Sequence, residues 1–237
     1  MAPCPYCKNP LETGMRHCEA CKLQLAYDQQ GQLRPWFPPI RPGELIAQLD
    51  FRKDPLPGRK DREPYDYKDG SKRRPSPYGM ELVTSHLGHF EFILSYLRIR
   101  DVVVRAQVVV LSPNAEVFVG TRYQNLDTMD LGYRFMIRPD KGQYRILRIA
   151  ASTKVGSSNL LYGPVHHPQV AAAQGRPIII EIGAQGPTLQ VSIDGMPAWS
   201  VHDPVLGTGC PAIGGGMGDK GEGTMLFQWM EVRSVVP

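Results

Sequence analysis

Four of the five cysteines lie within eighteen residues near the start of the chain, in the stretch CPYCKNPLETGMRHCEAC. They form two C-x-x-C pairs that are separated by ten residues. Each pair places two thiolates on one tight turn, and two such turns supply the four soft ligands of a tetrahedral Zn²⁺ site. Because the protein would fill all four positions, we expect one structural zinc ion that takes no part in catalysis. The predicted ligands are Cys4, Cys7, Cys18 and Cys21.

Two alternatives for these cysteines are a pair of disulfides and a redox-active C-x-x-C. The first twenty residues contain no apolar run before a small-residue cleavage site, so we expect no secretory signal and a cytoplasmic, reducing location. Disulfides fit that location poorly, and a redox dithiol would need one C-x-x-C on a βαβ unit. The fifth cysteine, Cys210, has no basic residue or histidine close by and is predicted to be a small buried side chain.

The residues after Cys21 predict a small β-hairpin. In KLQLAYDQQGQLRPW the apolar side chains of Leu23, Leu25 and Tyr27 alternate before a turn at residues 28–31. Together with the cysteine pairs, this stretch resembles a zinc ribbon, and the resemblance covers residues 1–36. Residues 37–43 belong to the proline-rich PWFPPIRPG, which predicts a stiff connector because proline interrupts helices and central strands.

From residue 44 to residue 237 the patterns predict β-strands almost throughout. DVVVRAQVVVL alternates valine and alanine with Arg105 and Gln107, and GYRFMIRP alternates large apolar residues with arginine and methionine. PDKG before QYRILRIA and Asp194-Gly195 before MPAWSVH predict hairpin turns. So many short strands in one unit indicate a β-sandwich.

The charged segment 52–79 interrupts this pattern. It mixes both signs of charge with five prolines and is predicted to be a long surface loop. The alternative is a basic docking loop built on Lys72, Arg73 and Arg74.

The order of the segments resembles a known fold. The segments follow one another in this order: a DF strand, YDYKDG, RIRDVVVRAQV, VGTRYQ, GYRFMI, GQYRILRI, IIIEIGAQGPTLQVSIDGMPAW, a glycine-rich turn and a closing F-x-x-M-x-V strand. This order is similar to the concanavalin A-like jelly-roll sandwiches, and within them to the bacterial laminin-G-like or 3-keto-disaccharide-hydrolase-like domains. The resemblance implies an all-β jelly roll behind the zinc ribbon. It leaves the function open, because this fold hosts lectins, glycosidases and interaction modules.

Paired acidic residues are the feature that a glycosidase on this fold would require. The string E-x-D-x-x-E, which would put two acids on one strand face, is absent. We therefore predict that the protein is not an enzyme. The histidine pair His166-His167 is predicted to lie in a loop, and the glycine run lacks the G-K-[ST] ending of a phosphate loop. The acids that could serve instead are single or lie in predicted loops: Asp66, Asp69, Asp127, Asp130, Glu116, Glu181, Asp194 and Glu231.

Arginine and tyrosine residues that recur on neighbouring strands form a candidate ligand face. Such surfaces bind sugars or acidic polymers, although arginines opposite an apolar strand face are also the ordinary solvated side of a sandwich. No acidic cluster has the spacing of a Ca²⁺ site. The candidate residues are Arg122, Tyr123, Arg134 and Arg145.

The sequence-based prediction of function is a non-catalytic binding or assembly module, an accessory subunit that docks into a larger protein complex through its ribbon. The alternative is a lectin-like protein with a glycan partner, and a glycosidase-like enzyme is less favoured. The whole positive excess of +4 lies in residues 1–80, and four zinc thiolates would reduce it, so we expect no specific nucleic acid partner. No apolar run approaches the roughly 18 residues that a membrane span requires.

Overall fold

The computed structural model describes residues 2–3, 10–12, 25–27, 33–35, 40–54, 65–66, 71–84, 90–126, 129–149, 158–217 and 221–236. This part of the chain consists almost entirely of β-strands, with one short helix, α1 (Pro168–Ala171), and a 3₁₀ turn at Pro139–Lys141. The strands are β1 (Ala2–Pro3), β2 (Pro10–Leu11), β3 (Leu25–Tyr27), β4 (Leu33–Pro35), β5 (Pro42–Asp50), β6 (Tyr65–Asp66), β7 (Lys72–Ser76), β8 (Gly79–Thr84), β9 (Phe90–Ile93), β10 (Val102–Val110), β11 (Ala115–Leu126), β12 (Met129–Arg138), β13 (Gln143–Ile149), β14 (Ser158–His166), β15 (Pro177–Gln185), β16 (Thr188–Ile193), β17 (Met196–His202), β18 (Cys210–Met217) and β19 (Gly223–Val235).

Two antiparallel sheets make up the body of the protein. In the described residues the larger sheet has nine strands in the order β17-β16-β15-β10-β19-β8-β7-β6, with β5 paired to the second half of β19. The smaller sheet has six strands in the order β14-β13-β12-β11-β18-β9. Apolar side chains from both sheets form one continuous core between them, so the predicted all-β sandwich is confirmed.

The core follows the predicted alternation along the central strands. Val104, Ala106 and Val108 of β10 are fully buried in the core, whereas Arg105 and Gln107 between them point to the outer face. In β12, alternate residues from Tyr133 to Ile137 reach the same core from the opposite sheet. Each large aliphatic or aromatic side chain buried in this way contributes roughly 1.5–3 kcal/mol.

Both predicted hairpins are present. The 3₁₀ turn at Pro139–Lys141 ends at Gly142 with a φ of 60°, and β12 pairs with β13 across it. Between β16 and β17, Asp194 and Gly195 both have positive φ, 49° and 76°, as a two-residue hairpin turn of this kind requires. Local turn chemistry therefore fixes these two strand registers.

Several segments differ from their predicted structure. Pro42 and Gly43, predicted to belong to the connector, begin strand β5, and Tyr65–Asp66 of the predicted loop form strand β6. Residues 72–76, predicted to lie in a loop, form strand β7 against β8, and Arg73 is buried beside the Phe92 ring. The glycine-rich run, predicted to be a turn, forms most of strand β18. A side chain at Gly215 would collide with Met225 of the larger sheet, which explains why glycine is needed within this strand.

The N-terminal segment contains two small strand pairs in its described residues. Strand β1 pairs with β2, and β3 pairs with β4, so the hairpin predicted after the cysteines is present. The four cysteines themselves lie outside the described residues, and the zinc site stays a prediction. Within the described part of the chain, no helix is long and apolar enough to cross a membrane.

Candidate functional site

The outer face of the smaller sheet contains most of the residues that the sequence singles out. Strand register places Phe118 of β11 beside Met136 of β12, and Met136 beside Arg145 of β13. On the other side, Phe118 pairs with Gly214 of β18, which pairs with Glu91 of β9. Because neighbours in register point to the same side of a sheet, these side chains share the outer face.

The centre of this face is buried and apolar. Its residues form a second hydrophobic cluster, separate from the core between the sheets. Cys210 belongs to it, as expected for a small buried side chain, and burial raises the pKa of its thiol. This central cluster consists of Phe118, Tyr123, Met136, Leu147, Cys210 and Ala212.

Tyr123 lies flat over two glycines of the smaller sheet. A Cβ atom built on Gly132 would be 2.6 Å from the tyrosine ring, and one built on Gly120 would be 2.5 Å from it. The ring stacks beside Phe118 with a centroid distance of 6.4 Å and an interplanar angle of 6°. Tyr123 therefore fills a depression in the sheet and is not available at the surface.

Arg134 covers the central cluster. Its guanidinium carbon lies 4.5 Å from the centroid of the Phe118 ring, and the group also pairs with Glu91 and contacts the hydroxyl of Tyr123. Arg134 is 7 % exposed, and burial lowers the pKa of its guanidinium to about 10. The side chain is thus part of the protein's packing.

Arg122 occupies a β-bulge and points away from this face. It has a positive φ of 56°, at the point where the register of β11 with β12 shifts. Its guanidinium donates three hydrogen bonds to main-chain oxygens, at 3.1 Å to Arg100, 2.7 Å to Leu206 and 2.5 Å to Gly186. Burial lowers the pKa of this group. The predicted ligand face is therefore not a single exposed surface, because Arg122, Tyr123 and Arg134 are buried.

Arg145 is the predicted residue that remains accessible, with 37 % of its side chain exposed. Its Nη2 donates a 2.7 Å hydrogen bond to Oε2 of Glu116, and Nη1 of Arg138 lies 3.8 Å from Oε1 of the same carboxylate. Asp140 accepts two hydrogen bonds from Arg138, at 2.9 Å and 3.2 Å. The arrangement is a carboxylate held between two guanidinium groups.

A small cavity of about 80 Å³ opens at this arrangement, where β12 and β13 meet their turn. Buried Tyr144 and Ile137 line its floor, and Gln143 and the exposed Pro164 lie at its rim. Its polar groups combine carboxylate acceptors with guanidinium and amide donors. The cavity lining is Glu116, Met136, Ile137, Arg138, Gln143, Tyr144, Arg145 and Pro164.

The acids that the sequence raised as catalytic candidates are placed as follows. Glu116 lies on the outer face of the smaller sheet and is paired with Arg145. Glu91 lies on the same face and is paired with Arg134, although the sequence did not raise it as a candidate. Glu181 lies on the larger sheet, 3.8 Å from Arg105 and hydrogen-bonded to Ser192, and burial raises its pKa. Asp69 and Asp127, and the side chains of Asp66 and Asp130, lie outside the described residues.

The histidine pair does not form a bidentate site. The prediction that both lie in a loop is wrong for His166, which is the last residue of β14. His167 precedes α1, and its ring lies 5.9 Å from the Tyr144 ring. Burial lowers the pKa of His167. Across the described ranges, no three His, Cys, Asp or Glu side chains are grouped to hold a metal ion.

Known proteins share the fold of this chain. No family model matches it, and no curated protein matches it. Among solved structures, a protein of unknown function with a galectin-like fold from Bacillus subtilis is 13 % identical, with a TM-score of 0.57, over 84 % of this chain and 99 % of that one. The glycoside hydrolase family 16 (GH16) protein of the Bacteroides ovatus mixed-linkage glucan locus, in complex with a G4G4G3G product, is 8 % identical, with a TM-score of 0.54, over 79 % and 100 %.

A third similar structure is the Crh5 transglycosylase in complex with NAG. It is 13 % identical, with a TM-score of 0.52, and the match covers 84 % of this chain and 88 % of that one. At these identities the likeness concerns the fold alone. The concanavalin A-like jelly-roll fold that the sequence predicted is therefore confirmed for the body of the protein, and the galectin-like likeness comes from the comparison.

Proposed function

We propose that this protein is a non-catalytic carbohydrate-binding protein whose ligand contacts the cavity at Glu116, Arg138 and Arg145. The observation that carries the proposal is the grouping of one carboxylate with two guanidinium groups around an open cavity. Sugar hydroxyls both donate and accept hydrogen bonds. A carboxylate can accept from one hydroxyl while a guanidinium donates to its neighbour.

The local charge favours a neutral ligand. Arg145 is paired with Glu116, and Arg138 is paired with Asp140, so positive and negative charges balance around the cavity. A phosphate or a polyanion would instead require an excess of arginine or lysine. Hydroxyl groups match a balanced set of charged donors and acceptors.

The absence of catalysis is part of the proposal. Glycoside hydrolysis requires two carboxyl groups that face each other across the substrate. In the described residues of this face, each glutamate contacts an arginine instead. The predicted docking role of residues 1–36 depends on cysteines outside the described residues and stays a prediction.

The test compares glycan binding by the whole protein and by Arg145→Ala. We expect the parent to bind neutral glycans on an array, and the variant to bind at least tenfold more weakly, because a hydrogen bond to a charged group contributes about 1.5–3 kcal/mol. Arg145 is partly exposed, so the variant should keep its fold, which thermal unfolding would check. Affinities measured by titration calorimetry give the ratio.

Arg100→Gln serves as the matched control. Arg100 is 69 % exposed and lies outside the cavity lining, so its loss removes one positive charge without altering the cavity. Binding should be unchanged in this variant. Equal binding by Arg145→Ala and the parent would move the site elsewhere, and no binding to any neutral glycan would refute the proposal.

A further inference from the structure

We propose that the cavity takes the terminal residue of a glycan and that the protein does not bind an internal stretch of a polysaccharide. This inference rests on the proposed function and adds which part of the glycan is recognised. It depends on two features of the smaller sheet: the buried centre of its outer face and the small size of the cavity.

The centre of the outer face is closed to a glycan chain. Phe118 is fully buried, Met136 is 2 % exposed, and Arg134 is 7 % exposed. Arg134 is held over Phe118 by its ion pair with Glu91 and its contact with the hydroxyl of Tyr123. A polysaccharide that crossed the face would have to displace a buried ion pair, which is costly because one charge would lose its partner.

Met136 and Arg145 lie where this closed centre meets the open cavity, and Met136 belongs to the central cluster and also lines the cavity. Nε of Arg145 lies 3.4 Å from Sδ of Met136, and its Nη2 bonds to Glu116, which lines the cavity. A sugar bound against Glu116 therefore meets the Arg145 side chain in the direction of the cluster. The rest of the glycan can leave only toward solvent.

The size of the cavity fits one end group. Its volume is about 80 Å³, whereas pockets that enclose a drug-sized ligand have roughly 300–1,000 Å³. Tyr144 and Ile137 close the floor, so a ligand cannot pass through. One edge of a sugar ring can enter, and we expect further residues of the same glycan to project past the exposed Pro164 toward solvent.

Affinity should then be independent of glycan length. The experiment titrates the whole protein with matched ladders of one to six residues of α-1,4-glucan, β-1,3-glucan, β-1,4-glucan and β-1,4-galactan. In any ladder that binds, we expect the dissociation constants of the methyl monosaccharide and the hexasaccharide to agree within threefold. A gain of tenfold or more with length would overturn terminal recognition and leave the proposed function standing.

Cyclic glucans provide a second arm, because they have no terminal residue. We expect α-cyclodextrin and cyclic β-1,2-glucan not to bind, whereas linear glucans of the same linkage and size do so if glucose is the sugar recognised. Equal binding of a cyclic glucan and its linear counterpart would overturn the inference. If none of these glycans binds at millimolar concentration and the array shows no other neutral ligand, the proposed function itself is refuted.

Discussion

A buried guanidinium group has five N–H donors that need acceptors. The guanidinium of Arg122 donates three hydrogen bonds to main-chain oxygens. The three carbonyl groups belong to separate connecting segments, at Arg100, Gly186 and Leu206. One side chain therefore joins three connections at one end of the sandwich. Tyr133 also links segments at this end of the sandwich: its hydroxyl accepts a hydrogen bond from the main-chain N–H of Leu206 and donates one to Asp203.

Replacement of Arg122 by lysine should destabilise the fold. A single ammonium group cannot reach three carbonyls that a planar guanidinium reaches together, so at least two of them lose their donor. The expected loss in the free energy of unfolding is about 3 kcal/mol, from about 1.5–3 kcal/mol per hydrogen bond to a charged group. Urea unfolding of the variant measures it. A loss below about 0.5 kcal/mol, the usual range for surface substitutions, would contradict the structural role.

The buried Glu181 should make the free energy of unfolding depend on pH. Because burial raises its pKa, the folded state binds the proton more tightly than the unfolded state does. Stability from this group is complete at low pH and is lost as pH rises through the raised pKa. The substitution Glu181→Gln removes the charge and keeps an acceptor for Ser192, so it should increase the free energy of unfolding at pH 7.

This gain should disappear below about pH 4, where the parent glutamate is protonated in both states. Unfolding in urea at pH 4 and pH 7 measures the difference between variant and parent. Glu222→Gln, which changes an exposed glutamate, is the control and should show no gain at either pH. A lower stability of Glu181→Gln at pH 7 would mean that its pairing with Arg105 outweighs the cost of burial.

At the scale of strands, packing between neighbours explains where glycine is required. Gly120 on β11 and Gly132 on β12 together accommodate the ring of Tyr123. The substitution Gly132→Ala would place a methyl group 2.6 Å from that ring. Overpacking of this kind costs about 1–3 kcal/mol, and we expect a thermal unfolding temperature lower by several degrees.

Gly207→Ala is the matched control for this substitution. Nothing lies within 4 Å of a Cβ atom at Gly207, and its φ lies outside the left-handed range. Its unfolding temperature should equal that of the parent. If both alanine variants unfold at the same temperature, the packing of the Tyr123 ring does not require glycine at position 132.

Some of these elements could be predicted because their signals are local. The alternation around Arg105 and Gln107 and the turn at Asp194-Gly195 depend only on residues near in sequence. Strand β7 could not be predicted, because its charged residues suggest a loop and the burial of Arg73 against Phe92 depends on a distant strand. The bulge at Arg122 does not follow from the sequence for the same reason, since the regular alternation of a strand would put Arg122 on the same face as Arg134.

At the scale of the whole molecule, the candidate site depends on pairings across the sheet. The hairpin turn places Met136 beside Arg145, and this much follows from sequence. Glu116 comes from β11, and the sequence does not show which strand lies beside β12. The sequence therefore predicts Arg145 as a ligand residue, whereas Glu116 has only the pattern of an isolated acid and Arg138 has no distinguishing signal.

The sandwich should fold without the cysteine-bearing segment. Its core is formed by residues from 47 to 232, and the first described contacts of the body start at Ile40. The main-chain N–H of Ile40 donates to Gln190, and its side chain lies over Gly183. A protein that begins at Ile40 should therefore unfold cooperatively, with a midpoint within a few degrees of that of the full chain.

Zinc binding should depend on the cysteines, and loss of zinc should not change the stability of the sandwich. We expect one zinc ion per full chain by elemental analysis, none in the protein that begins at Ile40, and release of zinc from Cys7→Ser or Cys18→Ser. Because structural zinc sites supply the folding free energy of small ribbons, residues 1–34 should become sensitive to protease in these variants, while the sandwich keeps its unfolding midpoint. Two intact disulfides without zinc would refute the metal site. A large drop in the sandwich midpoint on loss of zinc would instead show that the segment and the sandwich are stabilised together.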